Sequence, residues 1–198
     1  MKITEEEKNE LFEEFKERLF SKNKVLVFKE EGIELPKYAH EMDAGMDIRA
    51  KSRIIIAPGE TKIIPTGLKV VIPDGYELQV RPRSGLSLKT PLRVANTPGT
   101  VDGGYRDEIG VIITNTSVNN KDKQYDINEK DNKKGTYIVH KGDRIAQIVL
   151  CKYEMIEFEE VEENVIYQTG VNRGGGFGHS GIKWYGNVLK FNIFYWLL

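Results

Sequence analysis

Cysteine is nearly absent: Cys151 is the single one among 198 residues. No disulfide can form within the chain, and a reducing compartment suits it. Cys151 stands in an apolar run and reads as core rather than as a reactive thiol. Charge of one sign is not in excess either. The 29 Lys and Arg against 30 Asp and Glu leave a formal net charge of −1, so no global basic field recruits nucleic acid. An anionic ligand would have to be held by a local cluster of Arg, backbone amides or a metal. A bilayer-spanning run is missing as well. The apolar stretch Val188–Leu198 contains Lys190 and Asn192 and falls short of the roughly 20 residues a span needs. The first residues are acidic and carry no apolar signal core. These absences point to a cytoplasmic protein, or to the host cytoplasm for a viral one, with no membrane or nucleic-acid partner.

What is present is a globular balance, 39% hydrophobic and 30% charged residues, in a length that suits one domain with an appendage. Thr4 and Glu7 have capping-box spacing, and Leu11, Phe12, Phe15, Leu19 and Phe20 follow at helical spacing. This predicts an amphipathic helix over residues 4–21 that docks on the main body or on a neighbouring subunit. From Val25 the period changes. Val25–Phe28, Ile54–Ile56, Thr61–Ile64, Leu68–Ile72 and Tyr76–Val80 read as short strands, parted by turn signals such as Pro58-Gly59 and Pro73-Asp74-Gly75. Strands resume at Tyr137–Val139 and Arg144–Tyr153, and Glu154–Glu163 reads as an edge strand or connector. Many short strands at close spacing predict an all-β fold, a jelly-roll sandwich or barrel, with an added N-terminal helix. The expected division is a helical extension over 1–22, a β domain over 23–181 and an apolar tail over 182–198. Residues 116–136, rich in Lys, Asp and Asn, read as a long exposed loop, and the glycine-rich 172–181 as a flexible arm.

The stretch Val94–Asn115 organises the rest. It holds the turn Asn96-Thr97-Pro98-Gly99, then Asp102, the pair Gly103-Gly104, Tyr105, and a strand from Glu108 to Thr114. A tight hairpin there would gather one carboxylate, one ring and several free backbone amides around a small cavity suited to a flat, polar ligand. The plain alternative is an ordinary Gly-Gly hairpin turn with Asp102 as its cap.

Five stretches stand out in order: Ala44–Ala50 (AGMDIRA), Pro82–Leu86 (PRSGL), the central hairpin, Gly142–Gln147 (GDRIAQ) and Asn172–Gly181 (NRGGGFGHSG). Together they resemble the five motifs of the trimeric deoxyuridine triphosphatases, over roughly Val25 to Gly181. The resemblance implies a β jelly roll, hydrolysis of dUTP to dUMP and pyrophosphate with Mg2+, and a homotrimer whose active sites are shared between chains. It implies Asp102 as the general base that aligns a water on the α-phosphorus, and Tyr105 as the ring under deoxyribose. Asn96, Thr100, Val101 and Gly110 would read the uracil edge. Arg83, Ser84, Gly85 and Gln147 would bind phosphates, and Asp47 would support the metal through water. From the arm, Phe177 would stack on uracil, Arg173 would reach the phosphates, Ser180 would close over them and His179 would sit beside them. Asp107 stands where the family usually has Gly, and the arm is one residue shorter between Arg173 and Phe177 than the commonest spacing. Two alternatives remain beside this reading. One is a nucleotide-sensing protein on the same scaffold. The other is a dCTP deaminase, whose catalytic Glu would fall at Ile112 here, where no proton transfer is possible.

Overall fold

A computed structural model describes residues 4–20, 24–118, 122–129, 131–172 and 174. The elements run in chain order as α1 (Glu5–Phe20), β1 (Leu26–Lys29), β2 (Met46–Arg49), β3 (Ile54–Ile56), β4 (Thr61–Pro65), β5 (Leu68–Val71), β6 (Tyr76–Arg81), α2 (Ser84–Lys89), β7 (Leu92–Val94), β8 (Gly99–Val101), β9 (Gly110–Asn115), β10 (Gln124–Asp126), β11 (Thr136–Val139), β12 (Arg144–Lys152) and α3 (Glu163–Gln168). Four small sheets result, ordered β1-β5, β10-β11-β3, β2-β12-β6-β8 and β4-β9-β7. All pairings are antiparallel except β10 with β11. The fold is all-β, of the jelly-roll type that the strand pattern predicts.

One core serves all four sheets. Ile48, Ile56, Ile64, Leu68, Leu78, Val111, Ile113, Val139 and Ile148 belong to one buried cluster. Alternation explains why. In β9 the residues Val111, Ile113 and Asn115 point inward while Gly110, Ile112 and Thr114 lie nearer the surface, the period-two pattern of a strand with one dry face. Burying each Ile or Val side chain stabilises the fold by about 1.5–3 kcal/mol.

Strand β12 sits between β2 and β6, and Gln147 stands opposite both Asp47 and Arg81. Residues directly opposite share a face, so these three point outward together. The alternation breaks once. Ile145 and Ala146 are both fully buried, because a β-bulge lies between Arg144 and Ala146. The extra residue resets the phase, and Arg144 joins Gln147 on the outer face, opposite Arg49.

Two sequence expectations change. The central hairpin is not one: β8 pairs with β6, whereas β9 lies in another sheet between β4 and β7. The loop between them instead bonds to the end of β4 and to β5, where Ile109 N donates to Leu68 O at 2.8 Å and Thr66 Oγ1 to Ile109 O at 2.7 Å. The polar 116–136 segment is not a plain exposed loop. Its β10 pairs with β11, Tyr125 meets Tyr137 at 5.9 Å between ring centroids, and Ile127 is buried. Two apolar side chains set among many charges suffice to anchor it, and too few recur to show a period. PRSGL, for which the sequence named no element, leads into a helix, α2; Gly85 weakens its helix propensity by about 1 kcal/mol relative to Ala without forbidding it.

At the N-terminus the capping box forms. Glu7 N donates to Thr4 Oγ1 at 3.2 Å and Thr4 N to Glu7 Oε2 at 2.8 Å. Leu11, Phe12 and Phe15 are at least half exposed on α1, and the side chains of Leu19 and Phe20 lie outside the described residues. The chain divides into two compact units, residues 1–155 and 156–198. In the second, α3 ends at Thr169, followed by Gly170 in the left-handed region (φ 71°). No described helix is long and apolar enough to cross a membrane.

One buried amide ties the insert to the body. Asn115 Nδ2 donates to Ile56 O at 2.9 Å and to Gly135 O at 2.8 Å, and its Oδ1 accepts from Ser117 N at 3.0 Å. Asn115→Ala would strand three buried backbone groups, each worth about 1–3 kcal/mol when unsatisfied. We expect it to lower stability in urea unfolding by about 3 kcal/mol, with Asn115→Asp also destabilising, because a carboxylate cannot donate to two carbonyls. A loss below about 0.5 kcal/mol for Asn115→Ala would show that water replaces the amide.

Candidate active site

The sequence-predicted residues fall into two groups. The first surrounds Asp47 on the outer face of β2. Arg83, the residue before α2, donates from Nε to Asp47 Oδ1 at 2.7 Å and from a terminal nitrogen to Oδ2 at 3.2 Å. Arg144 reaches Oδ2 at 3.3 Å and Gln147 reaches Oδ1 at 3.3 Å. Each oxygen thus accepts two bonds, about the full capacity of a carboxylate. Burial works against the charge of Asp47, but the bonds and charge of Arg83, the Gln147 amide and the Arg144 charge together hold its pKa below the ordinary value.

Beside this group lies a cleft of about 380 Å3 lined by Arg49, Arg83, Lys89 and Arg144, with Gly85 and Asn128 among its other walls. Four cations in one concavity make a site for a polyanion. Ser84, exposed at the first turn of α2, adjoins it. The sequence reading singled out Arg83 and Gly85 but not Arg49, Lys89, Arg144 or Asn128. Arg49 and Arg144 were within reach of it, since both stand inside quoted motifs. Lys89 and Asn128 carry no local signal, and only the fold brings them there.

The second group forms a cavity of about 170 Å3 lined by Thr100, Val101, Tyr105, Ile109 and Gly110. It shares no lining residue with the basic cleft. Among the described strands β8 is an edge strand, bonded only to β6, so its other edge leaves backbone donors and acceptors near the cavity. A Cβ at Gly110 would meet Ile63 Cγ2 at 2.5 Å, so any side chain there would displace Ile63. The hydroxyl of Tyr105 donates to Glu108 O at 2.9 Å, which fixes the ring at the rim. Asp102 is exposed one residue beyond β8, and its carbonyl accepts from Tyr105 N at 3.0 Å. Neither Gly103, Gly104 nor Asp107 has a left-handed φ, so the Asp107 departure costs the backbone nothing. A side chain at Gly104 would meet nothing within 4 Å, and Gly103-Gly104 form the turn that the Tyr105 N–Asp102 O bond closes. Asn96 stays outside the cavity, its amide against Gly99. Arg173, Phe177, His179 and Ser180, and the 182–198 tail, lie outside the described residues.

For a metal, the donor set is thin. Among the described residues no three His, Cys, Asp or Glu side chains come together, and Asp47 is already fully engaged. The described residues alone build no cation cage. The residues fit a cation that brings phosphate oxygens and water as ligands and needs as few as one carboxylate, as Mg2+ can.

The dUTPase family model matches residues 31–181. The chain belongs to the dUTPase family. It is 48% identical over 162 residues to the Deoxyuridine 5'-triphosphate nucleotidohydrolase of Fusobacterium nucleatum, covering 81% of this chain and 98% of that protein. It is 45% identical over 150 residues to the protein of the same name from Rickettsia canadensis, covering 75% and 88%. Among solved structures it resembles a Staphylococcus bacteriophage 80alpha dUTPase mutant with dUpNHpp, at TM-score 0.69 and 33% identity over 81% of this chain and 99% of that one. It also resembles a mutant dUTPase from phage phi11 of S. aureus described as coordinating a structural Mg(II) ion, at TM-score 0.64 and 32% identity over 71% and 98%. The dUTPase match starts after α1, so the capped N-terminal helix stands outside it.

The lowered Asp47 pKa has a consequence for stability. A carboxylate depressed on folding stabilises the fold above its unfolded value, near about 3.9, and that contribution is lost as pH falls through the lower folded value. Between pH 6 and pH 2.5, wild type should therefore lose more stability than Asp47→Asn, measured by urea unfolding across that range. Parallel curves for the two proteins would show that Asp47 is not the group that titrates.

Proposed function

We propose that this enzyme hydrolyses dUTP to dUMP and pyrophosphate. The observation that carries the reading is the pairing, on one dUTPase-family chain, of a four-cation cleft anchored by Asp47 with a separate base-sized cavity edged by free backbone and Tyr105. Thr100, Val101 and Gly110 would read the uracil edge through their backbones. A mispaired base would leave buried polar groups unsatisfied, which discriminates strongly. The Tyr105 ring, its hydroxyl already spent on Glu108, would pack under deoxyribose and leave no room for a 2′-OH. Asn96, against Gly99, would assist only if it turned toward the base.

Asp102 would accept a proton from the water that attacks the α-phosphorus, while the bond from that phosphorus to its bridging oxygen breaks and pyrophosphate leaves. Arg83, aimed by Asp47, would hold the departing phosphates with Ser84, the Gly85 amide and Gln147. Mg2+ accompanying the triphosphate would neutralise charge on it, with Asp47 a carboxylate near the cleft to meet it through water. Arg173, Phe177, His179 and Ser180 would close the site from the arm. Such an activity limits uracil in DNA and supplies dUMP.

The separation of the two groups supports a site completed between copies in a homotrimer. Ile112 points to no acid or base for a deaminase, and the presence of Asp102, Arg83 and Gln147 favours turnover over sensing alone.

Pyrophosphate release should be seen with dUTP and Mg2+ and be weak with UTP, dTTP and dCTP; ammonia release from dCTP, or an inert dUTP reaction, would overturn the reading. Asp102→Asn should keep nucleotide binding and lose about 10²–10⁴ in turnover, the usual worth of a general base. Near-normal turnover would mean that another group aligns the water. Refolding Asp102→Asn together with Arg83→Ala tests sharing. If Asp102 and Arg83 of one site come from different copies of a symmetric trimer, roughly a quarter of sites recover. Mixed trimers confirmed by mass that stay as inactive as the parents would place both residues on one chain.

A further inference from the structure

The 116–136 insert has no part in the five motifs, yet it builds one wall of the basic cleft. Its β10 leads into Ile127, which is buried, and Asn128 follows at the cleft surface. Three contacts hold this turn. Ile127 N donates to Ile138 O at 3.3 Å, Asn128 Nδ2 to Asp143 Oδ1 at 3.2 Å, and His140 Nε2 pairs with Asp126 Oδ1 at 2.6 Å. Further along, Asn132 N donates to the carbonyl of Lys89 at 2.9 Å. Asn132 and its neighbour Asp131 both adopt left-handed backbone (φ 46° and 85°) to make that approach. The insert thus grips the end of α2 that carries Lys89.

Lys89 differs from the other cations of the cleft. Arg83 and Arg144 share Asp47, and Arg49 reaches Glu34 at 3.6 Å and the Gly142 carbonyl at 2.7 Å. No carboxylate lies within ion-pair distance of Lys89 among the described residues. The one acid lining the cleft, Asp143, spends its oxygens on Asn128 and on the backbone N–H of His140, the latter at 2.7 Å. What remains is an uncommitted ammonium at the end of α2 and an amide donor, both lining the same cleft.

We propose that Lys89 and the insert residue Asn128 form a subsite for the pyrophosphate end of the nucleotide, so that the insert is part of substrate binding. This rests on the dUTP reading above. The two side chains would add donors to phosphate oxygens outside the five motifs, and the insert's hold on α2 keeps them in place. Because they touch the leaving group and not the nucleoside, they act on pyrophosphate and dUTP alike and leave dUMP untouched.

The test uses Lys89→Ala, Lys89→Arg and Asn128→Ala in the full chain, each checked for an unchanged Tm. Losing one charge-assisted contact should raise KM for dUTP and the inhibition constant of inorganic pyrophosphate about tenfold in Lys89→Ala. Inhibition by dUMP should be unaltered, Lys89→Arg should recover most of the loss, and Asn128→Ala should move the same two constants less. Unchanged KM and pyrophosphate inhibition in both alanine variants would overturn the subsite. Should wild type not turn over dUTP, the functional reading fails separately. Calorimetric titration of inorganic pyrophosphate then decides the subsite, with equal affinity for wild type and Lys89→Ala counting against it.

Discussion

The site depends on one carboxylate. Asp47 accepts four hydrogen bonds, from Arg83 twice, Arg144 and Gln147. Without it, two guanidiniums would face each other across a half-buried surface and repel. With it, both are held at the mouth of the cleft as an oriented pair. The geometry favours Arg83, whose bidentate bonds at 2.7 and 3.2 Å fix the plane of the guanidinium. Arg144 and Gln147, each on one bond of 3.3 Å, are held more loosely.

That constellation rests on strand packing rather than on loops. β12 runs between β2 and β6, and the bulge at Ile145 is what lets Arg144 and Gln147, three residues apart, share a face. In an unbroken strand they would point to opposite sides. The buried Ile145 and Ala146 make the bulge worthwhile, since both then fill the core. A packing requirement and a binding requirement are met by the same irregularity.

The second cavity follows a different logic. There the donors are backbone groups at the edge of β8 and the start of β9, two strands in separate sheets brought close by the 102–109 loop. Glu108 locks that loop: its carboxylate accepts from Gly67 N at 2.5 Å and from Lys51 at 3.3 Å. Its carbonyl anchors Tyr105. Rigid backbone suits recognition of a base edge, because its donors are placed before the ligand arrives.

How much of this was legible in the sequence follows from the range of the interactions involved. Strand periods, the Thr4–Glu7 capping box and the ordered motifs are local patterns, so the all-β class, the N-terminal helix, the family and the candidates Asp47, Arg83, Asp102, Tyr105 and Gln147 could be named from the chain itself. Pairing partners could not. Gly103-Gly104 looks like a hairpin turn, but whether flanking strands pair with each other is decided by competing partners, and β6 and β4 won. Lys89 and Asn128 have no motif around them; a buried Ile127 and the Asn132–Lys89 backbone bond, 43 residues apart in sequence, bring them to the cleft. The bulge at Ile145 was invisible because a two-residue buried step shows only once the partner strands are known. Local periodicity therefore determined the all-β class, the N-terminal helix and many of the strands, and the ordered motifs named the candidate site residues. The tertiary structure alone decided which of them meet, since that depends on long-range hydrogen bonds and shared burial that no short window of sequence contains.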